Sequence, residues 1–454
     1  MIDEIRSRRV RDIECARRGN HSSFVPFVLV MMVFSVFCLS GVARGQGGKL
    51  IVLENADVAA GSVIDGQDVR EFIGNVRLRQ ENVRIACDRA LQFLASGRVD
   101  LTGHVVITDD SVTIRTPRGV YFRDERKTEG FDSVRLEDRT TILTAKYGQY
   151  LIDPRIAFFR RDVAVRDSAS TITADSLTYY RVDRMSIALG NVTVCNESDN
   201  VTITGGRLDH DAGRSYSRMS LNPVLRQIDT SSASTDTLVV RARVMEAYRD
   251  STRRLIGIDS VKILRADLAA TCGRATFFTT GDSILLRAEP VVWYQETQVT
   301  GDSINVYLKN RALHRVTVGG AAFAISRSDS LFPDRYDQIT GESLTMEFAE
   351  KRLHRIDVVT RAISVYHVYE DSLGNGLNRT SGDRIIMDFE SGKLQTIHVY
   401  DGVEGQYYPE NLVRARERDY RIPGFLWRSN RPRKDQMLNY PGNFPSRERS
   451  STSK

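Results

Sequence analysis

The chain has 454 residues and a formal net charge of +6; residues 1–45 carry +3 and residues 411–454 carry +7, which leaves −4 for the body between them. A mildly acidic body argues against nucleic acid as its partner, and 32 glycines and 11 prolines exclude a collagenous or wholly disordered chain. With 41% hydrophobic residues, the chain has the material for a sizeable core.

At the N-terminus, Arg6, Arg8, Arg9, Arg11, Arg17 and Arg18 precede an apolar run from Phe24 to Leu39, followed by small residues up to Gly45. This order predicts a signal peptide over residues 1–45, with cleavage after Ala43 or Gly45 and export of the body. An uncleaved anchor is the alternative, because Phe24 to Val42 is 19 residues and just long enough to span a bilayer. Cys15 and Cys38 fall in this leader. Cys87, Cys195 and Cys272 remain, too few for a disulfide framework, and are expected to be buried thiols on strands.

After an expected opening strand at Lys49–Val58, one pattern returns every 29 residues. In Val76-Arg77-Leu78, Val105-Val106-Ile107, Val134-Arg135-Leu136, Val163-Ala164-Val165 and Val192-Thr193-Val194 the outer positions are always apolar and the middle one varies. The chance of ten such hits at this composition is on the order of 10⁻⁴ before allowing for choice of register. A second column, Phe93, Phe122, Leu151 and Tyr180, takes the same step, and turn residues lie between the columns. Each repeat is therefore predicted as strand, turn, strand. Such a hairpin cannot bury its apolar face alone, so the copies must stack into one core.

The first array is predicted to run over residues 46–229 and to be followed by a Ser/Thr-rich joint at Thr230–Thr237, although one continuous stack is equally compatible with the short joint. A second array, 238–408, carries Gly281-Asp282-Ser283, Gly301-Asp302-Ser303, Gly341-Glu342-Ser343 and Gly382-Asp383-Arg384, which read as turns. Together the arrays would hold roughly twelve repeats in an all-β, elongated, solenoid-like stack about 60 Å long. The tail, 409–454, loses the alternation; its arginines and scattered aromatics predict a flexible, solvated segment, or a contact with phosphates or a partner protein.

No Gly-x-Ser-x-Gly elbow, phosphate-binding glycine loop, His-Glu-x-x-His or Cys-x-x-Cys pair is present, and no column of clustered carboxylates stands out. No enzyme, cofactor or metal is expected on these grounds. His314 and His354 alternate with apolar residues and are expected to face outward, and Asp209-His210-Asp211 is placed in a turn. What the repeats supply is an apolar interior, either a filled core or, if the sheets splay, a groove suited to acyl chains. The filled core corresponds to a structural or adhesive surface solenoid.

Several of these residues also carry a family resemblance. Ile73-Gly74-Asn75-Val76, Ala86-Cys87-Asp88-Arg89, Leu189-Gly190-Asn191-Val192 and Asn222-Pro223-Val224-Leu225-Arg226-Gln227 resemble the Gly-Asn-Val, Cys/Ala-Asp and Asn-Pro-x-x-x-Gln elements of OstA-like, LptA-type proteins. These are periplasmic lipopolysaccharide-transport proteins with a β-jellyroll fold. The resemblance covers most of residues 48–405 and is best in the first half. It implies a Gram-negative periplasmic bridge that relays lipopolysaccharide, or a similar envelope glycolipid, toward the outer membrane with the acyl chains held inside an open jellyroll. It further implies end-to-end strand pairing with jellyroll partners at the inner and outer membranes, or with further copies. By position, Val76, Leu78, Val105, Ile107, Val134, Leu136, Val163 and Val192, with Phe93, Phe122 and Tyr180, would line the lipid path.

Overall fold

The computed structural model describes residues 50–438 except 111, 139–140, 168–169, 199, 230–235, 267, 279, 310–311, 329–331, 351, 371–372 and 391–392. The expected signal peptide and the end of the tail lie outside the described residues. Residues Gly48–Lys454 belong to one unit, whose strands form one 28-stranded antiparallel sheet. Its first strands are β1 (Val52–Asn55), β2 (Val58–Ile64), β3 (Gln67–Gln80), β4 (Val83–Phe93), β5 (Arg98–Asp109), β6 (Val112–Phe122), β7 (Lys127–Glu137), β8 (Ile142–Leu151), β9 (Ile156–Arg166), β10 (Thr171–Tyr180), β11 (Met185–Asn196) and β12 (Val201–Asp211). From β3 to β12 each strand pairs with the next in chain order, so two strands make one 29-residue repeat.

The long strands of the first array break register at a corner. The pairing of β3 with β4 skips from Ile73 to Val76, and the skipped residues Gly74 and Asn75 have φ of +77° and +48°. The same left-handed step recurs at Gly103-His104, Asp132, Arg161-Asp162 and Gly190-Asn191. It continues in the second half as Asp259-Ser260, Ala288-Glu289, Gly320-Ala321 and Thr360-Arg361. A left-handed pair turns the strand out of one plane and into another. The residues before each corner thus build one layer and those after it the second, and one core cluster holds side chains from both.

The partner strand meets several of these corners with a small residue followed by an acid. A Cβ on Gly103 would run into the Asp88 carboxylate, and the same holds for Gly74 over Asp57, Gly190 over Asp175 and Gly320 over Asp302. His104 Nδ1 hydrogen-bonds Asp88 at 2.8 Å, Asn75 Nδ2 donates to Asp57 at 3.0 Å and Asn191 Nδ2 to Asp175 at 2.9 Å. The Gly-Asn and Cys/Ala-Asp elements are therefore the two halves of one corner latch. Gly301-Asp302 is the same latch in the second array, with the Asp302 amide donating to the carbonyls of Gly319 and Gly320. Its expected place in a turn is corrected: Gly301 is small because a Cβ there would strike Val318. Gly281 does sit in a turn.

The sheet is continuous across the Ser/Thr-rich joint, because Tyr216–Ser220 pairs with Val244–Tyr248 and Val224–Asp229 with Asp236–Arg241. The tail also departs from expectation. Up to Leu438 it packs back along the sheet: Ile422 N donates to Gln338 at 2.8 Å, Gln298 brackets Leu426 and Arg428 with two bonds of 2.7 Å, and Arg241 reaches Gln436 O at 2.9 Å. Ala322 and Ala324 face the main core while Phe323 and Ile325, alternating with them, face the tail and pack with Ile422, Phe425 and Trp427. This stretch is covered on both sides, and the tail supplies the second cover. Arg335, fully buried, pins the crossing through Glu410 at 2.5 Å and Glu417 at 3.5 Å.

Candidate lipid-binding interior

The valine triplets face inward. Val76, Leu78, Val105, Ile107, Val134, Leu136, Val163 and Val192 are all buried and belong to one cluster. Alternation puts every second residue of a strand on one face, and within each half-strand that face points at the opposite layer. Each such side chain contributes roughly 1.5–3 kcal/mol by leaving water. Side chains from both layers pack into one buried cluster, and the cavity between Ile114, Thr128, Gly130, Val134, Gly148, Gln149, Tyr150 and Phe159 is about 10 Å³.

Phe93, Phe122 and Tyr180 are not brought to this interior. They are half-buried on the other strand face, with Arg98 5.5 Å from the Phe93 ring centre and Lys127 4.0 Å from that of Phe122. The inward column lies one residue earlier, at Gln92, Tyr121, Tyr150 and Tyr179; Gln92, Tyr121 and Tyr150 are buried, and Tyr179 packs partly buried against the core. Two adjacent columns repeat with the same step, and aromatic character alone does not say which faces in.

The tyrosines end in a polar ladder that crosses between the layers. Tyr121 Oη donates to Gln80 Oε1 at 2.5 Å and Tyr150 Oη to Asp109 Oδ2 at 2.9 Å, while Tyr179 hydrogen-bonds Asp138. Gln80, Asp109 and Asp138 also step by 29 residues, so each bond joins a tyrosine to the residue 41 positions before it. The acceptors sit where one layer's strands turn, and the tyrosines where the other's do. Asn82 also donates to Asp109, and Arg181 donates to Tyr150 Oη at 2.8 Å. Just outside, Arg126 reaches Glu81 at 2.8 Å and Arg155 reaches Asp110 at 3.4 Å. Burial pushes the Tyr121 and Tyr150 hydroxyls up to about 12, which keeps both protonated as donors. A neutral bond of this kind nets about 0.5–1.5 kcal/mol, one to a charged group about 1.5–3. In the sequence Asp109 and Asp138 of this column look like ordinary turn acids.

His314 and His354 are exposed on their strands, and His210 sits on β12 with Nδ1 2.9 Å from Ser217 Oγ. Among the described residues no three His, Cys, Asp or Glu side chains group as metal ligands would. Cys87 and Cys272 are buried free thiols, pushed up to about 12 by desolvation, and Cys195 is half-buried and free.

Residues 95–230 match the family described as OstA-like protein. Among solved structures, the chain is similar to LptH from Pseudomonas aeruginosa, the LptA-homologous periplasmic component of the lipopolysaccharide transport device, at 15% identity and a TM-score of 0.25 over 31% of this chain and 95% of that one. No match is found among curated proteins. The matched stretch takes in the Gly190–Asp175 latch, the inward triplets from Val105 to Val192 and the Tyr150–Asp109 bond, and over residues 95–230 this chain is similar to OstA-like proteins.

Proposed function

We propose that the chain is a non-enzymatic bridge of the Gram-negative periplasm that binds lipopolysaccharide or a similar envelope glycolipid and relays it toward the outer membrane. The observation that carries this reading is the apolar interior running unbroken through successive repeats of the OstA-like stretch, lined by Val105, Ile107, Val134 and Leu136. The LptH likeness, whose own name refers to lipopolysaccharide transport, is in keeping with it. Partners are expected at the ends of the stack. Among the described residues the strands β1 and β2 each pair with β3 alone and expose Val52, Leu53, Val58, Val63 and Ile64. Strands Lys393–Tyr400 and Glu404–Pro409 likewise each pair with one neighbour. Unpaired edges of this kind accept a strand from another jellyroll or from a further copy.

The filled interior favours a second reading, a structural solenoid that carries no lipid. A photo-crosslinking side chain at Ile107 separates the two. The transport reading expects a covalent glycolipid adduct in cells, abolished by Val134→Asp, which sets an unpaired charge on the path. No adduct on folded protein that lacks the Val134→Asp change, in cells that make lipopolysaccharide, refutes it.

A further inference from the structure

We propose that acyl chains enter the first array sideways, through the seam between its two layers that the tyrosine ladder closes. This rests on the lipid-binding reading above and names the place and the ligand class: a single acyl chain of an anionic amphiphile. With buried side chains from both layers packed into one core cluster, and the space around Val134 and Tyr150 about the size of one water, the layers must separate before a chain fits there. They cannot separate at the corners, where every strand passes covalently from one layer to the other and backbone bonds such as Asp57 N to Ile73 O and Gly74 O hold the bend.

On the opposite side hairpin turns meet, and among the described residues side chains join them: Tyr121 to Gln80, Tyr150 to Asp109, Arg126 to Glu81 and Arg155 to Asp110. The corners, where the strand ladder is already interrupted, serve as the hinge. Arg126 and Arg155 occupy the same left-handed turn position one repeat apart, with φ of +45° and +54°. When the seam parts Arg126 leaves Glu81 while keeping Asp153 of its own layer, and Arg155 leaves Asp110, at the rim where an anionic headgroup rests while its chain lies inside. The tyrosine ladder lies in the first array, which puts the point of admission there.

The test locks the seam. In a Cys195→Ser background, Gln80→Cys and Tyr121→Cys are joined by a bismaleimide whose spacer contains a reducible disulfide, and uptake of dansyl-undecanoic acid is followed by fluorescence. The locked protein is expected to take up the probe at least about tenfold more slowly, with the rate restored by reducing the spacer, which shows the fold was intact. Tyr121→Phe with Tyr150→Phe, leaving the seam unlinked, should speed uptake severalfold. Equal rates before and after locking, with the probe bound, overturn the lateral seam and leave the lipid-binding reading standing. No probe binding by any form overturns both.

Discussion

Gly103→Ala isolates the corner latch. At φ +75° an alanine pays a left-handed penalty of roughly 1–2 kcal/mol. Its Cβ also runs into the Asp88 carboxylate, which must swing away from His104; that exposed pair is worth at most about 1 kcal/mol. The sum is a local destabilisation of about 1–3 kcal/mol. Because an array opens repeat by repeat, the assay is hydrogen exchange resolved by peptide rather than a global melt. Protection should fall in β4 to β7 and stay unchanged in strands Tyr336–Ala349 and Arg352–Glu370. Asp132→Gly is the counterpart: it occupies the same corner position at φ +73°, and relieving that backbone offsets the loss of its exposed partner Arg118, so its effect should be near zero. Gly103→Ala with unchanged protection in β4 to β7, or an Asp132→Gly that loosens the array as much, would refute the latch.

Three further outcomes follow from the same structure. Leu136→Ala, emptying a fully buried site in the interior, should cost about 2–5 kcal/mol in urea unfolding. The Tyr121 and Tyr150 hydroxyls titrate near 12 when folded and near 10 when unfolded, so their contribution is complete below about pH 10 and is lost as pH rises toward 12; tyrosinate absorbance should lag in the folded protein, and the lag should shrink in Tyr121→Phe with Tyr150→Phe. Glu410→Ala leaves the buried Arg335 guanidinium without its shortest partner, at a cost of about 3–5 kcal/mol to the tail crossing, and should red-shift the emission of Trp427 while the core Trp293 stays blue.

Much of the fold was legible because the valine triplets obey two rules at once, a period of two within the strand and of 29 along the chain. Those rules place Val76 to Val192 inside without any further knowledge. The aromatic column was one residue out of register because Tyr121-Phe122 and Tyr179-Tyr180 are adjacent rings, and period two says only that one faces in. Here the choice is made by the partner: Tyr121 and Tyr150 have Gln80 and Asp109 to bond, whereas Phe122 packs under Lys127. The Gly-Asp pairs of the second array looked like turns because that dipeptide suits turns; the deciding fact, a facing left-handed pair about 18 residues on, is a pairing across strands. The tail misled through its arginines. Ile422, Phe425 and Trp427 bury against a stretch of sheet whose outer face is apolar, at Phe323 and Ile325, and Met437 buries against another at Val224 and Val239; composition does not reveal these faces.

The central claim is that the apolar interior of this OstA-like stretch opens to hold acyl chains. Native mass spectrometry of the protein taken from the periplasm of its own host, under mild and then harsh release, tests it most directly. The account predicts recovery of a lipid A-type mass bound to the folded chain. Clean apo protein from cells that make lipopolysaccharide would contradict it and leave the filled-core solenoid.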